Sequence, residues 1–181
     1  MKPILDKQKF KVVIERLAHQ LIENHSNFSE TVLIGLQPRG IFLADRLVTY
    51  IESITNLHLQ YGKLDITFYR DDFNTGKEIH LPNQTEIDFS IENKKVVLID
   101  DVLFTGRTIR SAMDALVDFG RPQAVELLVL IDRRFSRQLP IQADYTGVVV
   151  DSVRTQKVKV FWKEHGKNDE VFLIDNTVAE R

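Results

Sequence analysis

The chain has 181 residues, 43% of them hydrophobic, with a formal net charge of −2 and no cysteine. That length suits one domain over residues 1–181 with a full core; the charge excludes a global attraction to nucleic acid, and the lack of cysteine excludes disulfides and thiolate metal sites. No apolar run approaches the roughly 20 residues of a membrane span and the N-terminus lacks the apolar core of a signal peptide, so a soluble, cytoplasmic protein is expected.

Asp6 can cap a first helix running to about residue 23, in which Phe10, Val13, Ile14, Leu17, Ala18, Leu21 and Ile22 repeat at helical spacing. Residues 31–36 then read as a buried strand, 40–54 as a second amphipathic helix and 64–69 as another strand. Residues 71–93 are polar and too long for a tight connection, which makes them a lid or a disordered insert. Residues 96–99 have the two-sided apolar character of a strand buried in a parallel sheet, which puts Asp100 and Asp101 at its carboxyl end. A helix over 108–119 follows, with Ile109, Ala112, Met113 and Leu116 on one face, until Gly120 and Pro122 stop it. Residues 125–131 are again continuously apolar. In the tail, 148–178, strand-like pieces at 158–162 and 171–174 flank Gly166 and suggest an antiparallel flap. Strands alternating with helices predict an α/β fold: a doubly wound, mainly parallel sheet flanked by helices, with a small C-terminal hood and a flexible lid loop.

Ligands in such sheets collect beyond the carboxyl ends of the strands. The most informative stretch lies there: Val96-Val-Leu-Ile-Asp-Asp-Val-Leu-Phe-Thr-Gly-Arg-Thr108 runs from strand through paired acids and a small polar turn into a helix. A helix N-terminus offers unpaired N–H groups and partial positive charge, so Thr105, Gly106, Arg107 and Thr108 make an anion cradle. Carboxylates one loop away suit sugar hydroxyls. The turn Gln37-Pro38-Arg39-Gly40 is a second anion-binding candidate with Arg39 as its cation, although Pro-Arg-Gly is also ordinary turn chemistry. An apolar strand closed by Asp-Asp also occurs in phosphoacceptor receiver domains, but there the acids end the first strand and no phosphate-type turn follows.

The 96–108 stretch resembles the signature of the type I phosphoribosyltransferases, and the match is complete. The resemblance implies that Asp100 and Asp101 bind the ribose 2′- and 3′-hydroxyls of phosphoribosyl pyrophosphate (PRPP), that Thr105–Thr108 bind its 5′-phosphate, and that Pro38, Arg39 and Gly40 form the pyrophosphate loop. It implies a mobile loop carrying Arg70, Asp71, Asp72 and Lys77 that excludes water while the anomeric carbon develops positive charge. Arg70 and Lys77 then neutralise the departing pyrophosphate, and the acids favour the cationic transition state. The solvated-loop reading fits Asp71 and Asp72 equally well. Mg²⁺ is the expected counterion; no all-protein metal cage is visible, so the ion arrives with PRPP.

Over nearly its whole length the chain is similar to the members of that family that use uracil and regulate pyrimidine operons. Ile4-Leu5-Asp6, Arg16-Leu-Ala-His19, Arg39-Gly40-Ile41, Asp65-Ile66-Thr67, Tyr69-Arg-Asp-Asp72, Met113-Asp-Ala-Leu-Val-Asp118, Gly120-Arg-Pro122 and Leu139-Pro-Ile-Gln-Ala-Asp-Tyr145 carry the likeness. It implies uracil as acceptor and UMP as product, with Arg133, Ala143, Asp144 and Tyr145 near the base. Phe104 stands where oxopurine-using members carry an aspartate, which favours a smaller base against an apolar wall, though it also fits plain loop packing. The likeness further implies a homodimer or larger assembly and binding of pyrimidine leader mRNA through the first helix, where Arg16 and His19 match. There Glu15 replaces a hydroxyl residue, the segment 133–138 carries an extra residue, and Val148-Val-Val-Asp151 replaces a basic stretch. A carboxylate facing phosphate repels it, so RNA binding is the weaker implication. The rival readings are an RNA-binding regulator whose nucleotide pocket is a sensor, and transfer to another base.

Overall fold

The computed structural model describes residues 1–69, 83–153 and 155–175. Strand β1 (Lys2–Leu5) leads into helix α1 (Lys7–His25), and Asp6 caps that helix by accepting the Lys9 N–H at 2.8 Å. Then come β2 (Thr31–Leu36), α2 (Gly40–Thr55), β3 (Tyr61–Leu64), β4 (Lys95–Leu103), α3 (Arg107–Leu116), β5 (Ala124–Arg134), β6 (Tyr145–Asp151), β7 (Gln156–Phe161) and β8 (Glu170–Asp175). Five strands form one sheet in the order β3-β2-β4-β5-β6, and every pairing in it is parallel.

Alternation along the central strands builds two cores. Leu33, Val97, Ile99, Leu128 and Leu130 face α1 and α2, whereas Val32, Ile34, Val96, Leu98, Leu127 and Val129 face α3. Helices therefore cover both faces, as the apolar runs predict. A second sheet, antiparallel in the order β1-β8-β7, forms the hood. Trp162, fully buried, fastens it to the first core by packing edge-on against Phe10 of α1, with ring centroids 5.4 Å apart, and at a tilt of 46° against Phe42 of α2, with centroids 5.7 Å apart.

Several elements depart from expectation for local reasons. The third strand occupies Tyr61–Leu64 rather than 64–69, because the Asp65 carboxylate accepts from both the N–H and the hydroxyl of Thr67 and bends the chain into a 3-10 turn over Thr67–Tyr69. β4 runs past the acids to Leu103, since β5 continues beside it with Val102 opposite Ile131 and Leu103 opposite Asp132. α3 ends at Leu116 and tightens to a 3-10 turn over Val117–Phe119. Its buried stripe is centred on Ala112 and Ala115, which leaves Met113 beyond the edge and 49% exposed. Residues 145–151 are the fifth strand of the main sheet rather than tail. β1 carries no alternation by which a sequence pattern would mark it.

Candidate functional site

All five parallel strands end at one edge, which gathers the loops after β2, β3, β4, β5 and β6. Asp100 and Asp101 lie there inside β4, both buried. The Asp101 N–H donates to Asp100 Oδ1 at 2.9 Å. Burial pushes the Asp100 carboxyl well above the ordinary carboxylate range, and the adjacent Asp101 raises it further. Burial also raises Asp101, against the opposing pull of Arg39. Arg39 Nε lies 3.2 Å from Asp101 Oδ2, an ion pair outside hydrogen-bonding angles, so that buried oxygen has no donor among the described residues.

The loop after β2 brings Pro38, Arg39 and Gly40 against the acids. A Cβ on Gly40 would stand 2.4 Å from the Ile99 carbonyl oxygen and 3.2 Å from Asp100 Oδ1, so only glycine lets α2 start this close to β4. The two carboxylates and this loop form one unit.

The turn after β4 continues from the same strand. Gly106 is the N-cap of α3 with φ +92°, a conformation that favours glycine, and no side chain caps that helix. Thr105 Oγ1 accepts the Arg107 N–H at 3.3 Å, and Thr108 sits in the first turn. The segment after β5 braces this turn from outside. Arg137 donates to the Phe104 carbonyl at 2.6 Å, Gln138 and Leu139 donate their N–H groups to the Thr105 carbonyl, and Arg107 Nε donates to Gln138 Oε1 at 2.8 Å. Sequence reasoning noted the unusual composition of 133–138 without assigning it this buttressing part.

Of the residues expected near a base, Phe104 and Arg133 are brought together, with the guanidinium carbon 4.0 Å from the ring centroid. Ala143, Asp144 and Tyr145 are not brought to them. Tyr145 pairs with Leu128 near the start of β5, whereas Arg133 and Arg134 pair with Val150 and Asp151. Six residues of strand, roughly 20 Å, separate the two ends. Asp144 instead exchanges hydrogen bonds with the Leu127 backbone, and the Tyr145 hydroxyl donates to Glu126 at 2.8 Å beside His25. The β-branched run ending at Val150 was the available signal: read as a strand, it places Ser152, Val153 and Gln156 at the ligand-binding edge.

Arg70, Asp71, Asp72 and Lys77 lie outside the described residues. The neck of their segment is defined: Asp65 accepts from Thr67 on one side and from the Asn83 N–H at 2.9 Å on the other, while Lys63 and Glu86 exchange backbone hydrogen bonds. Arg16 and His19 lie on α1 away from the acids. Arg16 donates to the Gly147 carbonyl, His19 meets the Tyr50 ring edge-on at 5.9 Å, and Glu15 pairs with Lys11 at 3.7 Å. Among the described residues no cluster of three or more His, Cys, Asp or Glu side chains could hold a metal, and no helix is long and apolar enough to cross a membrane.

Comparison with known proteins agrees with this geometry. The family model for the phosphoribosyl transferase domain matches residues 1–164. The chain is 46% identical to "Bifunctional protein PyrR" of Desulfosudis oleivorans, over 94% of each chain, and 43% identical to that of Bacillus subtilis, over 96% of each. Among solved structures, a hypoxanthine phosphoribosyltransferase of Staphylococcus aureus superposes with a TM-score of 0.70 at 22% identity, covering 98% of this chain and 94% of the other. That of Trypanosoma cruzi gives 0.71 at 14%, covering 97% of each. These two likenesses concern the fold alone. The domain match over residues 1–164 and the 43–46% identity over nearly the whole chain make this chain a member of the phosphoribosyltransferase family, in the branch of the PyrR proteins.

Proposed function

We propose that the chain is a uracil phosphoribosyltransferase, transferring the 5-phosphoribosyl group of PRPP to uracil to give UMP and pyrophosphate. The observation that carries this reading is the contact between Asp100 and Asp101 on β4 and the loop holding Arg39 and Gly40, at the strand whose next turn is Thr105–Thr108. In the reaction the C1–O bond to pyrophosphate breaks, a C1–N1 bond forms and N1 loses its proton. Asp100 and Asp101 grip the two ribose hydroxyls and hold negative charge beside the oxocarbenium-like carbon. The first turn of α3, with Thr105, Gly106 and Thr108, takes the 5′-phosphate, and Arg39 leaves Asp101 for the pyrophosphate. The acids and loops suit a donor that carries its own Mg²⁺, which when bound neutralises phosphate charge. Phe104 and Arg133 form the wall against which the base lies. Arg70 and Lys77 serve the departing charge.

Incubating the protein with labelled uracil, PRPP and Mg²⁺ should yield UMP; product from hypoxanthine or guanine with none from uracil would overturn the choice of base. The name of the relatives, bifunctional protein, motivates a second activity, UMP-responsive binding of pyrimidine leader mRNA. Salt-sensitive filter binding of that RNA, lost on Arg16→Ala and His19→Ala, tests it. Glu15 and the engagement of Arg16 with Gly147 weigh against tight binding. A cytoplasmic homodimer or larger homo-oligomer completes the proposal, checked by sedimentation.

A further inference from the structure

Three arginines stand close together where β5 ends, and two of them are neutralised. Arg134 forms paired bonds with Asp151, and Arg137 takes Asp132. Arg133 is only 5% exposed yet meets no carboxylate among the described residues. Its Nε donates to the Ser152 hydroxyl at 2.9 Å, and its Nη2 donates to the Gln156 carbonyl at 2.7 Å and the Val153 carbonyl at 3.4 Å. Phe104 covers one face at 4.0 Å. Its Nη1 has no hydrogen-bond partner among the described residues.

A buried cation surrounded by neutral oxygens and a ring is unfavourable on its own, and it becomes favourable when a ligand supplies an acceptor. Ser152 is itself 3% exposed, so its hydroxyl is locked against Nε. The turn that carries it is closed by the Gln156 N–H donating to the Val153 carbonyl at 3.0 Å and the Val153 N–H donating to Gln156 Oε1 at 3.2 Å. A flexible arginine side chain is thereby held in one plane with one amino group left to donate.

We propose that Ser152 is a positioning residue for base recognition: it fixes the Arg133 guanidinium so that its free amino group donates to a ring carbonyl of the base. The proposal rests on the phosphoribosyltransferase reading above and deepens it by naming what selects a carbonyl-bearing base. The Ser152 hydroxyl bonds Arg133 and none of the residues assigned to the sugar or the phosphates. Its loss is therefore expected to act on the base alone.

The test compares wild type, Ser152→Ala, Ser152→Thr and Phe104→Leu by titration with UMP and with ribose 5-phosphate, beside steady-state kinetics. Ser152→Ala should weaken UMP binding and raise the KM for uracil roughly tenfold or more, as loss of a hydrogen bond to a charged group does. Ribose 5-phosphate affinity, the KM for PRPP and the melting temperature should stay near wild type. Ser152→Thr should restore UMP binding, and Phe104→Leu should weaken UMP while sparing ribose 5-phosphate. Equal weakening of both ligands, or unchanged UMP binding in a folded Ser152→Ala protein, overturns the assignment. A wild type that binds UMP without turning over uracil defeats the catalytic reading alone, and the titrations then still decide the role of Ser152. A wild type that binds neither ligand defeats both.

Discussion

Asp100 and Asp101 are neighbours in sequence and both are buried, so burial disfavours ionisation of each, and the Asp101 charge disfavours that of Asp100 further. A folded-state pKa raised above the unfolded value means that the folded protein holds its proton more tightly. The stability contributed by Asp100 is thus fully present below about pH 4 and is lost as pH rises toward neutrality and beyond. We expect the ligand-free protein to melt at a higher temperature near pH 5 than near pH 8, and Asp100→Asn to flatten that difference; a wild-type melting temperature that climbs over this interval would contradict the burial argument. The same residues carry the proposed reaction. Asp101→Asn should lower the rate of UMP formation by roughly 10²-fold or more, the scale of removing one preorganised electrostatic group, with the fold retained by circular dichroism. Such a conflict between stability and activity is common at sites built for charge.

At the scale of elements, the close approach of α2 to β4 holds the two proposed anion-binding loops together. Gly40→Ala places a Cβ 2.4 Å from the Ile99 carbonyl oxygen, a backbone atom that cannot swing aside, so the helix start must move. The expected outcome in urea denaturation is a loss of about 1–3 kcal/mol, the range of overpacked sites, together with weakened PRPP binding as Arg39 and Asp101 separate. Local elements such as β2 and α1 were legible because their signals are short-range: the run 32–36 is apolar, and Asp6 precedes a stripe at helical spacing. The bend after Leu64 was not, because a side chain of the strand itself, Asp65, captures the chain and overrides its propensity. The proposed base wall was legible in half. Phe104 follows β4 and Arg133 lies near the end of β5, both strands readable from their own residues, whereas Ser152 follows a strand that reads as tail until its pairing with β5 is known.

For the molecule as a whole, Arg46 of α2 joins Trp162 in tying the hood to the helices that cover the main sheet. Arg46 of α2, its side chain 14% exposed, makes paired bonds to Asp169 at 2.8 and 3.2 Å, a third contact to Glu164 at 3.0 Å, and lies 4.8 Å over the Trp162 ring. Arg46→Ala leaves Glu164 and Asp169 without their cation, Asp169 keeping only the Lys163 N–H at 2.9 Å, and removes packing from the ring. Destabilisation of about 2–4 kcal/mol is expected, somewhat below the range for fully buried pairs because the acids keep partial contact with water. Trp162 is the chain's single tryptophan, so its fluorescence during denaturation reads the hood directly; an Arg46→Ala midpoint equal to wild type would show that the ion pairs contribute nothing.

The residues alone determined what is local: a buried strand, two acids, a glycine turn and a helix start follow one another along the chain, so their spatial adjacency is dictated by covalent connection. They also determined the alternation of strand and helix, because apolar periodicity records which faces must leave water. Tertiary structure decided which edge of the sheet each distant segment reaches. The register of β5 against β6 puts Tyr145 at one end and Ser152 at the other, and a hydrogen-bonded pairing between segments joined by a long return has no signature in either segment by itself.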